Sequence, residues 1–236
     1  METKCFNEYG LPKEYEDVLR SYYFDAIELL GQKMLMFALT SSCGLGQCIP
    51  GWSDIDVLIV VDELDFNDLR ALHSAQSKYQ IKIALALLSR YEMDNCMFDD
   101  KTNVVFFQLK ERMLFPNYIA PDAGLVFPNV AIEEIQADDE CMLPMYLHKL
   151  RRALYGSPTD KRSIIKMLYI VVKMRLRSCG HEIIAKSYEE AFSSFAREFD
   201  EEYFDVVSEM MSGVVASEAF VAFSRRVVEK ICNGKI

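Results

Sequence analysis

The sequence predicts an α/β (α+β) fold in which an N-terminal mixed sheet with helices is followed by a C-terminal helical bundle. In the first half of the chain, short apolar runs alternate with apolar side chains at helical spacing, a pattern typical of a sheet packed against helices. After a stretch with Pro and Gly over residues 116–128, only helical periods follow. This change in character predicts two domains, 1–122 and 123–236.

The first predicted domain begins with an amphipathic helix. Its apolar side chains recur at i, i+3, i+4 and i+7 between Tyr15 and Leu30, and Gly31 is placed to end the helix. The elements predicted after it are a buried strand over 33–40, a polar loop over 41–53, a strand over 54–61, a helix over 65–78, a strand over 80–88 and a fourth strand over 103–109.

The second predicted domain shows apolar side chains at helical spacing only. Its helices are predicted over 145–155, 163–178, 188–199, 203–211 and 217–232. Charge is uneven in this half: residues 148–186 hold ten Lys or Arg against two acids, and an acidic cluster lies just before them over 133–140. The asymmetry indicates one surface for an anion and another for a cation. Two solvated helix faces would give the same pattern.

Composition limits the classes of function. Of the 236 residues, 51% are hydrophobic and 26% are charged, which supports a packed core and excludes a disordered or fibrous chain. The net charge of −10 argues against a generic nucleic-acid partner. No apolar run reaches the roughly 20 residues of a membrane helix, and no basic-then-apolar leader is present, so we expect a cytoplasmic protein without a membrane partner. The seven cysteines are scattered without a CxxC pair, which predicts free thiols rather than zinc.

The segment that carries chemistry runs from Ser41 to Asp56 and reads SSCGLGQCIPGWSDID. Asp54 and Asp56 are two residues apart on a predicted strand, so both carboxylates project from the same face. Carboxylate oxygens are hard ligands that can hold Mg²⁺. The small-residue turn before them offers backbone N–H groups and a Ser hydroxyl to phosphate oxygens. Nucleotidyl transfer needs a metal ion next to a bound phosphate, since the protein mainly positions the reacting groups and neutralises their charge.

This segment resembles the polymerase-β-type nucleotidyltransferase superfamily, in which an apolar strand, Gly-Ser, a short spacer and Asp-x-Asp follow one another. Ser41-Ser42 stands where Gly-Ser is expected, and Asp54-Ile55-Asp56 matches the acidic strand. Gly46 lies four residues after Ser42, where many small members of the superfamily also have glycine. The chain departs from the pattern at Ser41, which replaces the usual glycine.

A second stretch, residues 176–191, is similar to the helical domain of the streptomycin and spectinomycin adenylyltransferases. With the kanamycin enzymes, these are small antibiotic-modifying members of the same superfamily. In them a helix ends at Thr-Gly, and an Ile-Val-Ser-Lys linker leads to a helix that begins with Glu-Ala. Here Cys179-Gly180 is followed by Ile183-Ile184-Ala185-Lys186 and Glu190-Ala191. The similarity implies a helical domain that closes over the nucleotide.

Together these resemblances imply a Mg²⁺-dependent enzyme that transfers AMP from ATP to a hydroxyl of a small molecule. Asp54 and Asp56 would be the catalytic and metal-binding pair. The residues implied to bind the nucleotide are Ser41, Ser42, Gly44, Gly46, Ser53, Lys149 and Lys166, and some of Lys149, Arg152, Lys161, Arg162 and Lys166 are expected to contact the triphosphate. The acidic cluster over 133–140 fits a cationic, aminoglycoside-like acceptor. A homodimer is left open.

One feature of the superfamily is missing. Members carry a third carboxylate on the strand after Asp-x-Asp, but the predicted strand 80–88 has no acid, and Lys82 takes the place. Alternation puts Lys82 on the face of the two aspartates, where an ammonium cannot ligate a metal. Three alternatives stay open: two carboxylates hold the metal together with water and the triphosphate; another acid, such as Glu92 or one from the helical domain, completes the site; or the chain is a catalytically weak nucleotide-binding or antitoxin-like regulator. Transfer to a Tyr or Ser of a partner protein is a further alternative.

Overall fold

The computed structural model describes residues 10–111, 116–119, 124–155, 160–181 and 187–235. The chain divides into two compact units, one ending at Ala131 and the other beginning at Ile132. The predicted boundary between residues 122 and 123 lies outside the described residues. The first unit holds a mixed sheet with helices, and the described part of the second holds helices. The predicted fold class is therefore confirmed.

The first unit follows the predicted order of elements closely as far as the third strand. Gly31 ends helix α1, and its φ of 54° is a positive value that glycine adopts readily because it has no Cβ. The elements in chain order are α1 (Lys13–Leu30), β1 (Met34–Thr40), α2 (Ser41–Gly44), β2 (Ile55–Val61), α3 (Phe66–Gln76), β3 (Ile83–Ser89), α4 (Arg90–Asp94), α5 (Asp100–Lys110) and β4 (Pro116–Ile119).

The four strands form one mixed sheet in the order β3-β2-β1-β4. Strand β1 runs antiparallel to both β2 and β4, whereas β2 and β3 run parallel. The first residues of β2 and β3, Ile55 and Ile83, are paired. Thr40, the last residue of β1, is paired with Asp56. The end of β1 and the starts of β2 and β3 therefore meet at one edge of the sheet.

One face of the sheet packs against helices α1 and α3. Phe37 from β1 and Val57 from β2 are buried in a single cluster with Tyr22 from α1 and Leu72 from α3. The period of two in the strands and the period of 3.6 in the helices bring these side chains together. This packing fixes the strand register, because a slip of one residue would send the apolar set to the opposite face.

The predicted strand over 103–109 is wrong, because these residues belong to α5. Thr102, Phe106 and Leu109 are buried, and their spacing of four and three suits one face of a helix rather than the alternation of a strand. The Asp99 carboxylate caps the helix by accepting the Thr102 N–H at 2.9 Å. The fourth strand is instead β4, which the sequence analysis missed and which pairs with β1.

The described part of the second unit consists of helices and their connections. Helix α6 begins well before the predicted start at residue 145 and continues through Pro144. None of the described helices is long and apolar enough to cross a membrane. The helices are α6 (Ile132–Tyr155), α7 (Lys161–Ser178), α8 (Tyr188–Glu198), α9 (Val206–Met211) and α10 (Glu218–Cys232).

Two buried basic side chains connect helices of the second unit. Arg177 on α7 donates from Nε and Nη2 to the two oxygens of Asp139 on α6, at 2.5 and 2.6 Å, and both side chains are almost fully buried. Lys161 at the start of α7 donates to the carbonyl oxygens of Glu209 and Gly213, at the end of α9 and just after it. Since a buried charge is costly without a partner, these contacts hold α6, α7 and α9 in place.

The substitution Arg177→Met should lower the free energy of unfolding by about 3–5 kcal/mol, because it leaves the Asp139 carboxylate buried without a cation. Chemical denaturation followed by circular dichroism measures the loss. Lys13→Met, which removes the exposed partner of Asp17, is the control and should have little effect. The double variant Asp139→Leu with Arg177→Met should recover most of the lost stability. A loss no larger than that of Lys13→Met would contradict this account.

Candidate functional site

The two predicted metal ligands lie at the start of β2. Asp56 is the second residue of the strand, and Asp54 comes just before the first. The residues that alternate with them, Ile55 and Val57, are buried in the core against α1 and α3. The period of two therefore directs both carboxylates toward the opposite face, and both aspartates are partly exposed. The two aspartates therefore share one face of β2, as the alternation along the predicted strand indicates.

The loop between β1 and β2, which ends immediately before Asp54, is held in shape by hydrogen bonds between its own residues. After α2, the Gln47 N–H donates to the Ser42 carbonyl at 2.7 Å. The Ser53 hydroxyl accepts the Ile49 N–H at 2.9 Å and lies 3.4 Å from the Ser42 hydroxyl. Ser53 is buried and its hydroxyl is engaged in hydrogen bonds within the loop, whereas Ser42 is partly exposed. Ser42 and Ser53 are both predicted to contact the nucleotide, and of these two Ser42 is the better placed to reach a ligand.

Two thiols pack inside the same loop. Cys43 is buried, and its thiol donates to the Asp54 carbonyl at 3.3 Å. The hydrogen bond between the Cys43 and Cys48 thiols, together with burial, raises the pKa of Cys43. The same hydrogen bond lowers the pKa of Cys48. The six described cysteines are free, as predicted, and Cys43 and Cys48 tie the loop to the backbone beside the aspartates.

Helix α1 anchors the end of the loop through Tyr15. The Tyr15 hydroxyl donates to the Ser53 carbonyl at 3.0 Å and accepts the Gly51 N–H at 3.1 Å. The side chain is almost fully buried, and burial raises the pKa of the phenol. Sequence analysis treated Tyr15 only as a member of an apolar stripe, since nothing in the spacing reveals a hydroxyl aimed at a loop 38 residues away. Tyr15 fixes the backbone immediately before Asp54.

Ser41 adopts a strained backbone conformation at the junction of β1 and α2. Its φ is 54°, in the left-handed region that disfavours residues with a Cβ and favours glycine. This is the position at which the nucleotidyltransferase pattern has glycine and this chain does not. Glycine would adopt this conformation without the penalty that the Cβ of Ser41 incurs.

Lys82 lies beside Asp54. Strand β3 begins at Ile83 rather than at residue 80, so Lys82 immediately precedes it. The Lys82 carbonyl accepts the Ile55 N–H at 2.9 Å, which extends the pairing of β2 and β3 by one step. The Lys82 Nζ is 3.4 Å from Asp54 Oδ2, and the expected approach of the ammonium to the aspartates is confirmed. The Lys82 side chain is 73% exposed against 13% for Asp54, so water and ions have access to this pair.

Glu92 does not complete the site. Because β2 and β3 run parallel with Ile55 paired to Ile83, a residue after the end of β3 lies at the opposite edge of the sheet from Asp54. A strand of this length separates the two edges by about 20 Å. The Glu92 carboxylate is also engaged there, since it accepts from the Ser89 N–H at 2.7 Å and the Ser89 hydroxyl at 2.8 Å. The hypothesis that Glu92 is the third acid is wrong.

The second unit holds the basic residues predicted to meet the triphosphate. Lys149 lies on α6 with its Nζ 5.3 Å from the ring centre of Tyr146, and Lys166 lies partly buried on α7. Lys161 is only 3% exposed, and its ammonium donates to main-chain oxygens of Glu209, at the end of α9, and of Gly213, just after it, so Lys161 is not among the basic residues that are left to contact a phosphate. The roles of Lys149 and Lys166 stay predictions. Residues 182–186 of the predicted linker lie outside the described residues.

The acidic cluster over 133–140 divides into two kinds of residue. Asp139 is buried and bound to Arg177, so it is a structural group rather than a contact for a cationic acceptor. Glu133, Glu134 and Glu140 are exposed on α6. The cluster therefore keeps a negative surface, which is smaller than the sequence alone indicated.

Comparison with known proteins supports the fold. No protein-family model matches the chain, and no curated protein matches its sequence. The structure is similar to that of spectinomycin adenyltransferase AAD(9) from Enterococcus faecialis with ATP and spectinomycin. The two chains are 12% identical, the match covers 90% of this chain and 96% of the other, and the TM-score is 0.64. Likeness at this identity shows the fold alone: the chain has a nucleotidyltransferase-like fold.

The substitution Ser41→Gly should raise the free energy of unfolding by about 0.5–1 kcal/mol. Glycine removes the left-handed penalty of roughly 1–2 kcal/mol but loses part of the gain through its greater freedom in the unfolded chain. Urea denaturation measures the change. Ser42→Gly is the matched control and should lower stability by a similar amount, because Ser42 is helical and has no positive φ to relieve. Equal losses in the two variants would contradict the assignment of strain to Ser41.

Proposed function

We propose that the chain binds a nucleoside triphosphate at the start of β2 and transfers the nucleoside monophosphate to a hydroxyl of a small molecule. The observation that carries the proposal is the pair Asp54 and Asp56, on one face of β2 directly after a turn rich in Ser and Gly. The nucleotidyltransferase-like fold supports this choice. ATP is the proposed donor because the similar AAD(9) structure contains ATP.

The turn is proposed to bind the phosphates. The partly exposed Ser42 hydroxyl can exchange its 3.4 Å contact with Ser53 for a phosphate oxygen. The first N–H groups of α2 find no acceptor within the helix itself. Gly46 is exposed and has no side chain to hinder close approach to the backbone, whereas Gly44 is buried and helps to shape the turn. Ser41 and Ser53 contribute by fixing the shape of the turn, and Lys149 and Lys166 by adding positive charge.

Asp54 and Asp56 are proposed to hold Mg²⁺, which the resemblance to the superfamily implies. Their carboxylate oxygens are the hard ligands that Mg²⁺ prefers. The fit is partial, because the described residues contain no group of three metal-binding side chains and the Lys82 ammonium competes for Asp54 at 3.4 Å. Bound Mg²⁺ supplies neutralisation of phosphate charge.

In the proposed transfer, the acceptor hydroxyl oxygen forms a bond to the α-phosphorus while the bond to the bridging oxygen breaks and pyrophosphate leaves. The hydroxyl proton needs an acceptor. The third-acid position is held by Lys82, so the proton passes to solvent or to a phosphate oxygen. A reaction without a positioned base loses roughly 10²–10⁴-fold in rate, and we therefore propose a slow enzyme.

The proposed acceptor is a small molecule with positive charge. The AAD(9) structure contains spectinomycin, and Glu133, Glu134 and Glu140 give α6 of this chain an exposed negative surface. Such a surface attracts cations over a distance of about a Debye length. Spectinomycin is therefore a suitable first probe for the acceptor site.

A second candidate function is nucleotide binding without turnover. The observation that favours it is the contact between Lys82 and Asp54, which places a cation where catalysis would use an acid. An ammonium beside two carboxylates relieves their mutual repulsion when no metal is bound. It also weakens the attraction of the pair for a divalent cation. The two candidates share the binding site and differ in whether pyrophosphate is released.

The double substitution Asp54→Asn with Asp56→Asn should abolish the Mg²⁺-dependent part of ATP binding, a loss of at least about tenfold in affinity, because neutral amides are poor ligands for Mg²⁺. Calorimetric titration of ATP with and without Mg²⁺ measures it, and thermal unfolding should be unchanged. Asp62→Asn is the control, since Asp62 follows the opposite end of β2 and pairs with Arg90. Equal Mg·ATP affinity in the double variant and the parent would overturn the site.

The substitution Lys82→Glu should raise Mg²⁺ affinity by about tenfold, because it replaces a positive charge near Asp54 with a third carboxylate. Release of pyrophosphate from Mg·ATP in the presence of spectinomycin should rise as well. Lys78→Glu is the matched control: Lys78 is similarly exposed and pairs with Asp25 at 3.3 Å, away from the aspartates. If both variants bind Mg²⁺ alike, Lys82 does not control the metal site.

A further inference from the structure

The second unit contains a pocket of about 640 Å³ that the proposed function does not use. Helices α6 and α7 and the end of α10 form its walls. Its volume falls within the range of roughly 300–1,000 Å³ that is typical of small-molecule sites. All of its lining residues belong to the second unit, so its geometry is independent of the carboxylate pair on β2.

One wall of the pocket is polar and carries net positive charge. Arg151 and Arg175 line it together with His148, and Glu140 is the only acid among the described residues that line it. A guanidinium presents a planar fork of donors that matches the oxygens of a carboxylate or a phosphate. The excess of cationic groups in a concave site therefore favours an oxyanion.

Arg175 is held in place on the wall of the pocket. Its Nη1 donates to the Ser178 hydroxyl at 3.2 Å, and that hydroxyl donates to the Arg175 carbonyl at 2.8 Å. The guanidinium carbon lies 5.9 Å from the ring centre of Phe199. These contacts fix a side chain that carries a permanent positive charge at the pocket.

The remaining lining residues give the pocket an apolar side. Leu143 and Leu147 contribute from α6 and Ile231 from the end of α10. Apolar surface with a few convergent polar groups is the usual composition of a small-molecule site. We propose that the pocket binds a small organic oxyanion, a carboxylate or phosphate group on an apolar body, with the anionic group at Arg175 and the body against the leucines.

Cysteine reactivity gives a test that reports on this pocket alone. Cys232 lines the pocket and is exposed, whereas Cys96 is exposed in the first unit. Phenyl phosphate and benzoate, used as probes on the full chain, should slow the alkylation of Cys232 by iodoacetamide, measured by peptide mass spectrometry, and leave Cys96 unchanged. Phenol, with the same ring and no charge, should need at least about tenfold higher concentration. The absence of protection by both anions would overturn the proposal.

Variants separate the pocket from the nucleotide site. Arg175→Met should weaken the protection of Cys232 by at least about tenfold, whereas Arg197→Met, on an exposed arginine of α8 outside the pocket, should preserve it. If Arg175→Met does not fold by circular dichroism, the exposed pocket residue Arg151→Met replaces it, with a loss of about fivefold expected. Protection that survives the tested pocket variant would overturn the proposal. Protection lost in the Asp54→Asn, Asp56→Asn protein would assign the anion to the nucleotide site and overturn it too.

Discussion

In the proposed site on β2, the contact between the Lys82 ammonium and the Asp54 carboxylate at 3.4 Å sets the charge that a metal ion would meet. It exists because β2 and β3 run parallel with Ile55 paired to Ile83, so that the residues before both strands lie side by side. The same register places Glu92 at the opposite edge of the sheet from Asp54. A site with two acids and a lysine is less negative than one with three acids, and it attracts a divalent cation less strongly. The proposed slow transfer and the alternative of binding without turnover both follow from this one arrangement.

The turn before Asp54 is held in shape by contacts from several sides. Tyr15 fixes the backbone before Asp54 from the buried side, and Cys43 binds the Asp54 carbonyl from within the loop. Ser41 keeps a left-handed φ that a serine adopts only at some cost. Strained residues persist where the surrounding structure determines them, and they often occur at functional sites.

The sequence predicted the fold class and most elements because apolar periodicity is a local signal. It also placed Asp54, Asp56 and Lys82 together, because the alternation along strands fixes which residues share a face. The prediction was wrong over 103–109, where β-branched and aromatic residues favoured a strand but the chain forms a helix. It also missed β4, whose pairing with β1 depends on residues that are distant in sequence. The strain at Ser41, the anchoring by Tyr15 and the burial of Lys161 depend on tertiary contacts, which periodicity does not encode. The pocket around Arg175 joins three helices and was likewise invisible.

The central claim is that Asp54 and Asp56 form the metal and nucleotide site of this fold. A crystal structure of the chain with Mn²⁺ and a non-hydrolysable ATP analogue, with anomalous data collected for manganese, tests it directly. The account predicts a manganese peak in contact with both carboxylates, the phosphates of the analogue against the Ser42 turn, and the Lys82 ammonium displaced from Asp54. A nucleotide bound elsewhere, or a manganese peak away from both aspartates, would contradict the account.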